Sequence, residues 1–280
     1  MAIRPPKINR RRFLAAAAAT AAGMVGYARV VEPHWARVIR LPLPVAGLPD
    51  ALADKTLVQI SDLHVGRTDF DYLRSWVRSV GDLAPDVIVV TGDFVHTGAA
   101  DEIAAAAELL WELPPVPLGV FGVLGNHDYG PGWRNRAVGD RVAEHLAGVG
   151  VRVLRNEAVG VGGLTLFGVD DLWSGRFDLA RTLAGAAGPS VGLCHNPDGL
   201  DQPGWGGFQG WVLSGHTHGG QCRAPFFDPS VLPVSNPRYA AGHVDLGDGR
   251  HVYVNRGIGY GRRVRFNVRP EVTAFTLMPA

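Results

Sequence analysis

Thr56-Leu57-Val58-Gln59-Ile60 runs straight into Ser61-Asp62-Leu63-His64, an apolar, β-branched run that stops on side chains of metal-ligand type. Val87-Ile88-Val89-Val90 stops the same way at Thr91-Gly92-Asp93, and Leu118 to Leu124 leads into Gly125-Asn126-His127-Asp128. Val191-Gly192-Leu193-Cys194 ends at His195-Asn196, and Trp211-Val212-Leu213 ends at Ser214-Gly215-His216-Thr217-His218. Short, nearly continuous apolar runs read as buried parallel strands. The oxygen and imidazole side chains all stand at strand ends.

The first three runs recur at intervals close to the roughly 30 residues of one βαβ unit. Between them Asp71 to Val80, Glu102 to Trp111 and, further on, Ala137 to Ala147 have helical apolar spacing. Right-handed crossovers then align the strands in parallel. In open α/β sheets, functional groups gather beyond the carboxyl ends of the strands, so the five loops are expected to converge on one site.

Composition agrees with a folded globular chain. With 280 residues, 46% of them apolar, 19% charged and only two Cys, the sequence excludes a disordered tail, a coiled coil and a disulfide-stapled miniprotein. Its 37 Gly and 20 Pro point to many turns rather than a helical bundle. The formal net charge of +1 gives no general field to favour nucleic acid, which is not expected as a partner, and nothing in the sequence signals an oligomeric state.

The N-terminus is a separate object. Asn9-Arg10-Arg11-Arg12-Phe13-Leu14 precedes an Ala-rich, uncharged stretch to Ala28, the pattern of a twin-arginine export signal. The stretch is short and Ala-dominated, so a full transmembrane helix is the second choice. Gly26-Tyr27-Ala28 before Arg29 offers a weak processing site, which leaves a retained membrane anchor open. The expected organisation is a signal or anchor over residues 1–30, a Pro-punctuated linker over 31–50 (Pro33, Pro42, Pro44, Pro49) and one domain over 51–280. The protein is expected to be exported to a periplasmic or extracytoplasmic location, with retention at a membrane surface by an uncleaved anchor as the alternative.

Specificity rests on one motif. With ten His in the chain, a bare His-x-His arises by chance in roughly one such sequence in three; requiring Gly215, Gly219 and Gly220 as well lowers this to on the order of one in a thousand. The ordered set Asp-x-His, Gly-Asp, Gly-Asn-His-Asp, His and Gly-His-x-His resembles the calcineurin-like metallophosphoesterases over roughly residues 50–280. Gly-His-Thr-His-Gly-Gly-Gln, with Arg265-Phe266-Asn267 and Pro270-Glu271-Val272, is similar to the bacterial membrane-associated branch of that family, which includes members acting on UDP-diacylglucosamine.

The resemblance implies an α/β fold of two mixed sheets packed face to face, with helices outside. It implies that Asp62, His64 and His218 hold one metal ion, that Asn126, His195 and His216 hold a second, and that Asp93 bridges them. Oxygen and imidazole donors without thiolates suit two divalent ions among Mn, Fe and Zn, the chemistry used to displace phosphoesters. Two carboxylates leave about two positive charges on such a pair, which attract a phosphate even in a chain of near-zero net charge. The implied activity is hydrolysis of a phosphodiester or pyrophosphate by activated water, on a phosphorylated small molecule or a lipid-linked phosphate. A nuclease and a catalytically silent metal-binding scaffold are the alternatives; a basic groove or stacked aromatics beside the site would favour the nuclease. By the same resemblance His127 contacts the phosphoryl group or protonates the leaving oxygen. Many relatives orient this imidazole with an acid three residues after the bridging Asp, where this chain has His96. Asp128 is one candidate to substitute for it.

Other residues have ordinary readings. Cys194 and Cys222 are expected as small buried side chains rather than a disulfide, with Cys194 facing away from the site. His34, His145, His243 and His251 stand outside any motif, and Glu102, Glu108 and Glu112 fit a solvated helix face. Arg256, Arg262, Arg263, Arg265 and Arg269 read as a solvated basic segment. Two loops, 170–176 and 224–234, are equally suited to packing or to a substrate lip, with Phe226 and Phe227 as the apolar element of the second.

Overall fold

Every side chain of Val87–Thr91 is buried, so this strand must be covered on both faces. Val87 and Val89 pack into one core and Ile88 and Val90 into another, the period-2 alternation of a strand. The computed structural model describes residues 9–224 and 232–280. In chain order it contains α1 (Arg10–Gly26), β1 (Arg37–Val45), β2 (Thr56–Ile60), α2 (Phe70–Ser79), β3 (Val87–Thr91), α3 (Ala100–Trp111), β4 (Val120–Val123), α4 (Arg136–Gly148) and β5 (Val151–Val153). It continues with β6 (Glu157–Val161), β7 (Leu164–Gly168), α5 (Leu179–Ala184), β8 (Ser190–Leu193), β9 (Gly210–Ser214), β10 (Gly242–Asp245), β11 (Arg250–Val254) and β12 (Glu271–Pro279).

Two six-stranded sheets result, ordered β1-β12-β2-β3-β4-β5 and β10-β11-β9-β8-β7-β6. β2, β3 and β4 run parallel in the first, and β8 and β9 run parallel in the second. Leu57, Val87, Val89 and Val123 of the first sheet meet Leu166, Val191, Leu193 and Leu213 of the second in a shared core. Helices α2, α3 and α4 cover the outer face of the first sheet through Leu73, Val77, Ile103, Leu109, Val142 and Leu146. Phe167, Val212 and Val252 pack with Leu179 and Trp205 outside the second. This is the α/β two-sheet architecture that the family resemblance implies.

Buried polar contacts tie the sheets together just below the site. Gln59 Nε2 on β2 donates to the Ser214 carbonyl at the end of β9 (2.9 Å) and to Thr91 Oγ1 at the end of β3 (2.9 Å). Asn255 Nδ2 donates to Thr273 Oγ1 on β12 (2.9 Å). Such bonds have one geometry, so they fix how the strand ends of one sheet face those of the other.

Two parts of the expected organisation change. Residues 37–45, read as linker, form β1, which pairs in parallel along all of β12. Pro42 and Pro44 hid it; they are tolerated because β1 is an edge strand. The N-terminal helix also does not stop near residue 28. Helical structure runs from Arg10 to His34, 25 residues that contain an 18-residue window of mean hydropathy 1.4, long and apolar enough by length and composition to cross a membrane. Its last turns dock on the domain: the Arg265 N–H donates to the Ala28 carbonyl (2.8 Å), and the buried Glu32 carboxylate accepts the N–H groups of Asn267 (2.9 Å) and Val268 (2.6 Å).

Candidate metal centre

The five strand-end loops meet at one place, because β2 and β3 deliver Asp62, His64 and Asp93 opposite His195, His216 and His218 from β8 and β9. Asp62, His64 and His218 have ligand atoms within 4.8 Å of one another, and so do Asp93, His195 and His216. Asp93 Oδ2 sits 3.5 Å from His64 Nε2 and 3.4 Å from His195 Nε2, between the two groups. His218 Nε2 is 3.3 Å from Asp62 Oδ1 and 3.0 Å from His64 Nε2, and His216 Nδ1 is 3.2 Å from His195 Nε2. Asn126 and all six of these residues are buried.

The backbone is strained to achieve this. Asp62, His64, Asp93, His216 and His218 all have φ between 47° and 72°, a left-handed region that costs a non-glycine residue of order 1 kcal/mol or more. The motif glycines give these side chains room: a Cβ on Gly125 would lie 2.3 Å from Asp93 Oδ1, and one on Gly215 would lie 2.0 Å from Ser61 Oγ. Gly-Asn-His-Asp and Gly-His-x-His are therefore spaced by packing as well as by chemistry.

Hydrogen bonds set the imidazole tautomers. His195 Nδ1–H donates to the Thr91 carbonyl (2.7 Å), which leaves Nε2 facing the site. His216 Nε2–H donates to the Pro233 carbonyl (2.8 Å), so Nδ1 is its inward atom. His127 Nδ1–H donates to the His96 carbonyl (2.7 Å). The acid missing at position 96 is thus replaced by that residue's own main chain. Asp128 does not take the role: its carboxylate accepts from the N–H groups of Gly125 (2.8 Å) and Val95 (3.1 Å) and stiffens the loops under His127.

Electrostatics suit a cation. Burial holds His64 and His218 well below the usual histidine range, and burial with the neighbouring His195 takes His216 down to about 3; neutral imidazoles are what a metal requires. Burial pushes Asp62 up to about 6. Burial also opposes charge on His195, yet the Asp93 carboxylate beside it prevails and raises it to about 10, which marks this spot as one that favours positive charge. Among the described residues Asn126 Oδ1 is buried without a hydrogen-bond partner, an omission worth about 1–3 kcal/mol unless a ligand completes it. The donor set, the neutral imidazoles of His64, His216 and His218 and this orphaned oxygen fit divalent metal binding.

The surroundings differ from the sequence reading in several places. Cys194 and Cys222 are free thiols, and Cys222 is exposed rather than buried. Arg265, read as part of a solvated segment, is fully buried, with Nη2 donating to the carbonyls of Gly259 (2.6 Å) and Arg256 (2.8 Å) and lying 3.3 Å from His218 Nδ1. Arg256 pairs with buried Glu271 (2.5 Å), and the Arg269 guanidinium stacks over Trp35. In loop 170–176, Trp173 packs edge-on against His216 at 4.5 Å and stacks on Trp133 at 4.9 Å, forming one wall of the site. Trp133 has no motif around it and gave no sequence signal. Phe226 and Phe227 lie outside the described residues.

This donor chemistry at the carboxyl ends of parallel strands is that of metal-dependent phosphoester hydrolases. Residues 55–220 match the calcineurin-like phosphoesterase model, and the chain belongs to that family of hydrolases. It is 35% identical to phosphodiesterase YaeI of Escherichia coli (strain K12), over 97% of this chain and 100% of the relative. It is 32% identical to the uncharacterized metallophosphoesterase YkuE of Bacillus subtilis (strain 168), over 97% and 98%. Identity to UDP-2,3-diacylglucosamine pyrophosphatase LpxG of Chlamydia trachomatis is 27%, over 88% and 90%.

Proposed function

We propose that this hydrolase uses two divalent ions to cleave a phosphodiester or pyrophosphate in a lipid-linked or membrane-proximal substrate. The observation that carries the two-ion reading is the place of Asp93 Oδ2, 3.5 Å from an imidazole of one triad and 3.4 Å from an imidazole of the other. Asp62, His64 and His218 would hold one ion and Asn126, His195 and His216 the other, with Asp93 shared. Bound there, the ions supply charge to the phosphoryl oxygens and an activated water.

The chain's own residues do the rest. His127, with Nδ1 committed to the His96 carbonyl, turns Nε2 outward, where it can donate to a phosphoryl oxygen or deliver a proton to the leaving oxygen. Its N–H donates to Asp93 Oδ1 (2.9 Å), which keeps the other carboxylate oxygen turned to the imidazoles. Trp133 and Trp173 shield one side from water.

Membrane proximity is supported by the segment that joins anchor and site. Arg265 and Phe266 contact the end of the long helix, through the Ala28 carbonyl and a Tyr27–Phe266 ring contact at 6.5 Å. Gly261, Arg262 and Val264 of the same segment line the groove beside His127 and His218. A substrate headgroup at the bilayer surface would have a short path to that groove. In this reading Arg10 and Arg11 direct export, and the helix remains as an anchor, since Ala28 is buried and hydrogen-bonded.

The test is turnover of phosphomonoesters, phosphodiesters and lipid-linked diphosphates with Mn, Fe or Zn, on short- and long-chain versions of one headgroup. Equal efficiency at all chain lengths would remove the lipid element. A nuclease is the second reading, favoured by the stacked Trp133–Trp173 pair; hydrolysis of single-stranded oligonucleotides in preference to the lipid panel would establish it instead.

A further inference from the structure

A groove of about 720 Å³ opens from the rim of the metal centre, where His127 and His218 form its inner wall. Arg67, His96, Gln221 and Arg262 line the remainder, and no Asp or Glu does so among the described residues. The main chain behind both arginines is pinned. The Arg67 N–H donates to the His64 carbonyl (2.9 Å), and Gln221 Nε2 donates to the Arg262 carbonyl (2.7 Å). Their guanidinium groups, by contrast, have no hydrogen-bond or ion-pair partner among the described residues, whereas Arg74, Arg155, Arg238, Arg250 and Arg256 are each paired with a carboxylate. His96, stacked on His127 at 4.9 Å, contributes no negative charge to the same wall.

We propose that Arg67 and Arg262 form a second anion subsite, which receives the second phosphate of a diphosphate diester while the first lies at the metal centre. The inference rests on the hydrolase reading above and narrows it to the pyrophosphate linkage. A lone phosphodiester carries one charge, which the metal centre itself satisfies. Two unpaired guanidinium forks in one adjoining groove, both solvent-exposed and so free to meet a ligand, match the further oxygens of a diphosphate. In the reaction, water adds to the phosphorus at the metal centre and the bond from that phosphorus to the bridging oxygen breaks. The bridging oxygen leaves with the second phosphate and the products are two phosphomonoesters. Arg67 and Arg262 hold the leaving phosphate as its charge grows.

The experiment uses the full chain in detergent with Mn²⁺ and three probes: bis(p-nitrophenyl) phosphate, UDP-glucose as a soluble diphosphate diester, and CDP-diacylglycerol as a lipid-linked one. The Arg67→Ala/Arg262→Ala double variant should lose about tenfold or more additional kcat/KM on the diphosphates relative to the single phosphodiester. The Arg67→Lys/Arg262→Lys variant should recover part of that loss. As a measurement on wild type alone, methylene diphosphonate should inhibit bis(p-nitrophenyl) phosphate turnover about tenfold more strongly than methylphosphonate. Equal losses on all probes, or equal inhibition by the two phosphonates, overturns the subsite. Turnover of bis(p-nitrophenyl) phosphate without either diphosphate overturns the subsite and leaves the hydrolase reading standing; no turnover of any probe overturns both. A larger defect on CDP-diacylglycerol than on UDP-glucose identifies the subsite as a lipid headgroup's, and the reverse identifies a soluble diphosphate's.

Discussion

The Nδ1 of His127 lies 2.7 Å from the main-chain oxygen of His96, so the orientation of the rim imidazole comes from a carbonyl and not from a side chain. His96→Ala keeps that carbonyl. Its kcat on a single phosphodiester should fall by less than about tenfold, whereas His127→Ala should lose about 10²–10⁴-fold, the range for general acid–base catalysis. Metal content measured alongside should stay at the wild-type level in His127→Ala. Comparable losses in the two variants would show that the His96 imidazole itself orients His127.

Asp93→Asn should remove metal and turnover together. The amide keeps an oxygen for the His127 N–H but loses the charge that stands between His64 and His195. Elemental analysis is the direct measurement, and full occupancy by two ions in this variant would contradict a bridging role.

Asp171 should govern part of the pH dependence of the metal-free protein's stability. It is buried, its Oδ2 accepts from Ser174 N–H (2.7 Å), its Oδ1 has no hydrogen-bond partner among the described residues, and burial pushes its pKa up to about 7 despite the opposing effect of His195. Because the folded state holds this proton more tightly than the unfolded chain, the associated stability is complete below about pH 4 and is lost as pH rises to about 7. Asp171→Asn stays neutral throughout. Denaturant titrations at pH 4 and pH 8 should show the wild type losing up to about 4 kcal/mol relative to the variant. Parallel pH profiles for the two proteins would rule out a raised Asp171.

Arg10→Lys with Arg11→Lys should leave the domain inside the cell if export uses the twin-arginine route. In the exported wild type, mass spectrometry of the membrane fraction should find the N-terminal helix still attached. Normal export of the double variant, or a mature N-terminus at Arg29, would contradict the respective half of the reading.

The sequence alone determined the strands β2, β3, β4, β8 and β9, the three helices α2 to α4, and the donor residues at the strand ends. These follow from local rules: an apolar run must be buried, and a ligand-type side chain directly after it is carried to the sheet's edge. Periodicity says nothing about which sheet a strand joins, because pairing partners are set by contacts distant in sequence. Only the tertiary structure therefore divided the five strands between two sheets, turned residues 37–45 into an edge strand on β12, and buried Arg265 behind His218. The main-chain bond from His96 to His127 and the Trp133–Trp173 wall were invisible for the same reason. A carbonyl has no letter in the sequence, and two tryptophans on different loops become one surface only when long-range packing brings those loops together.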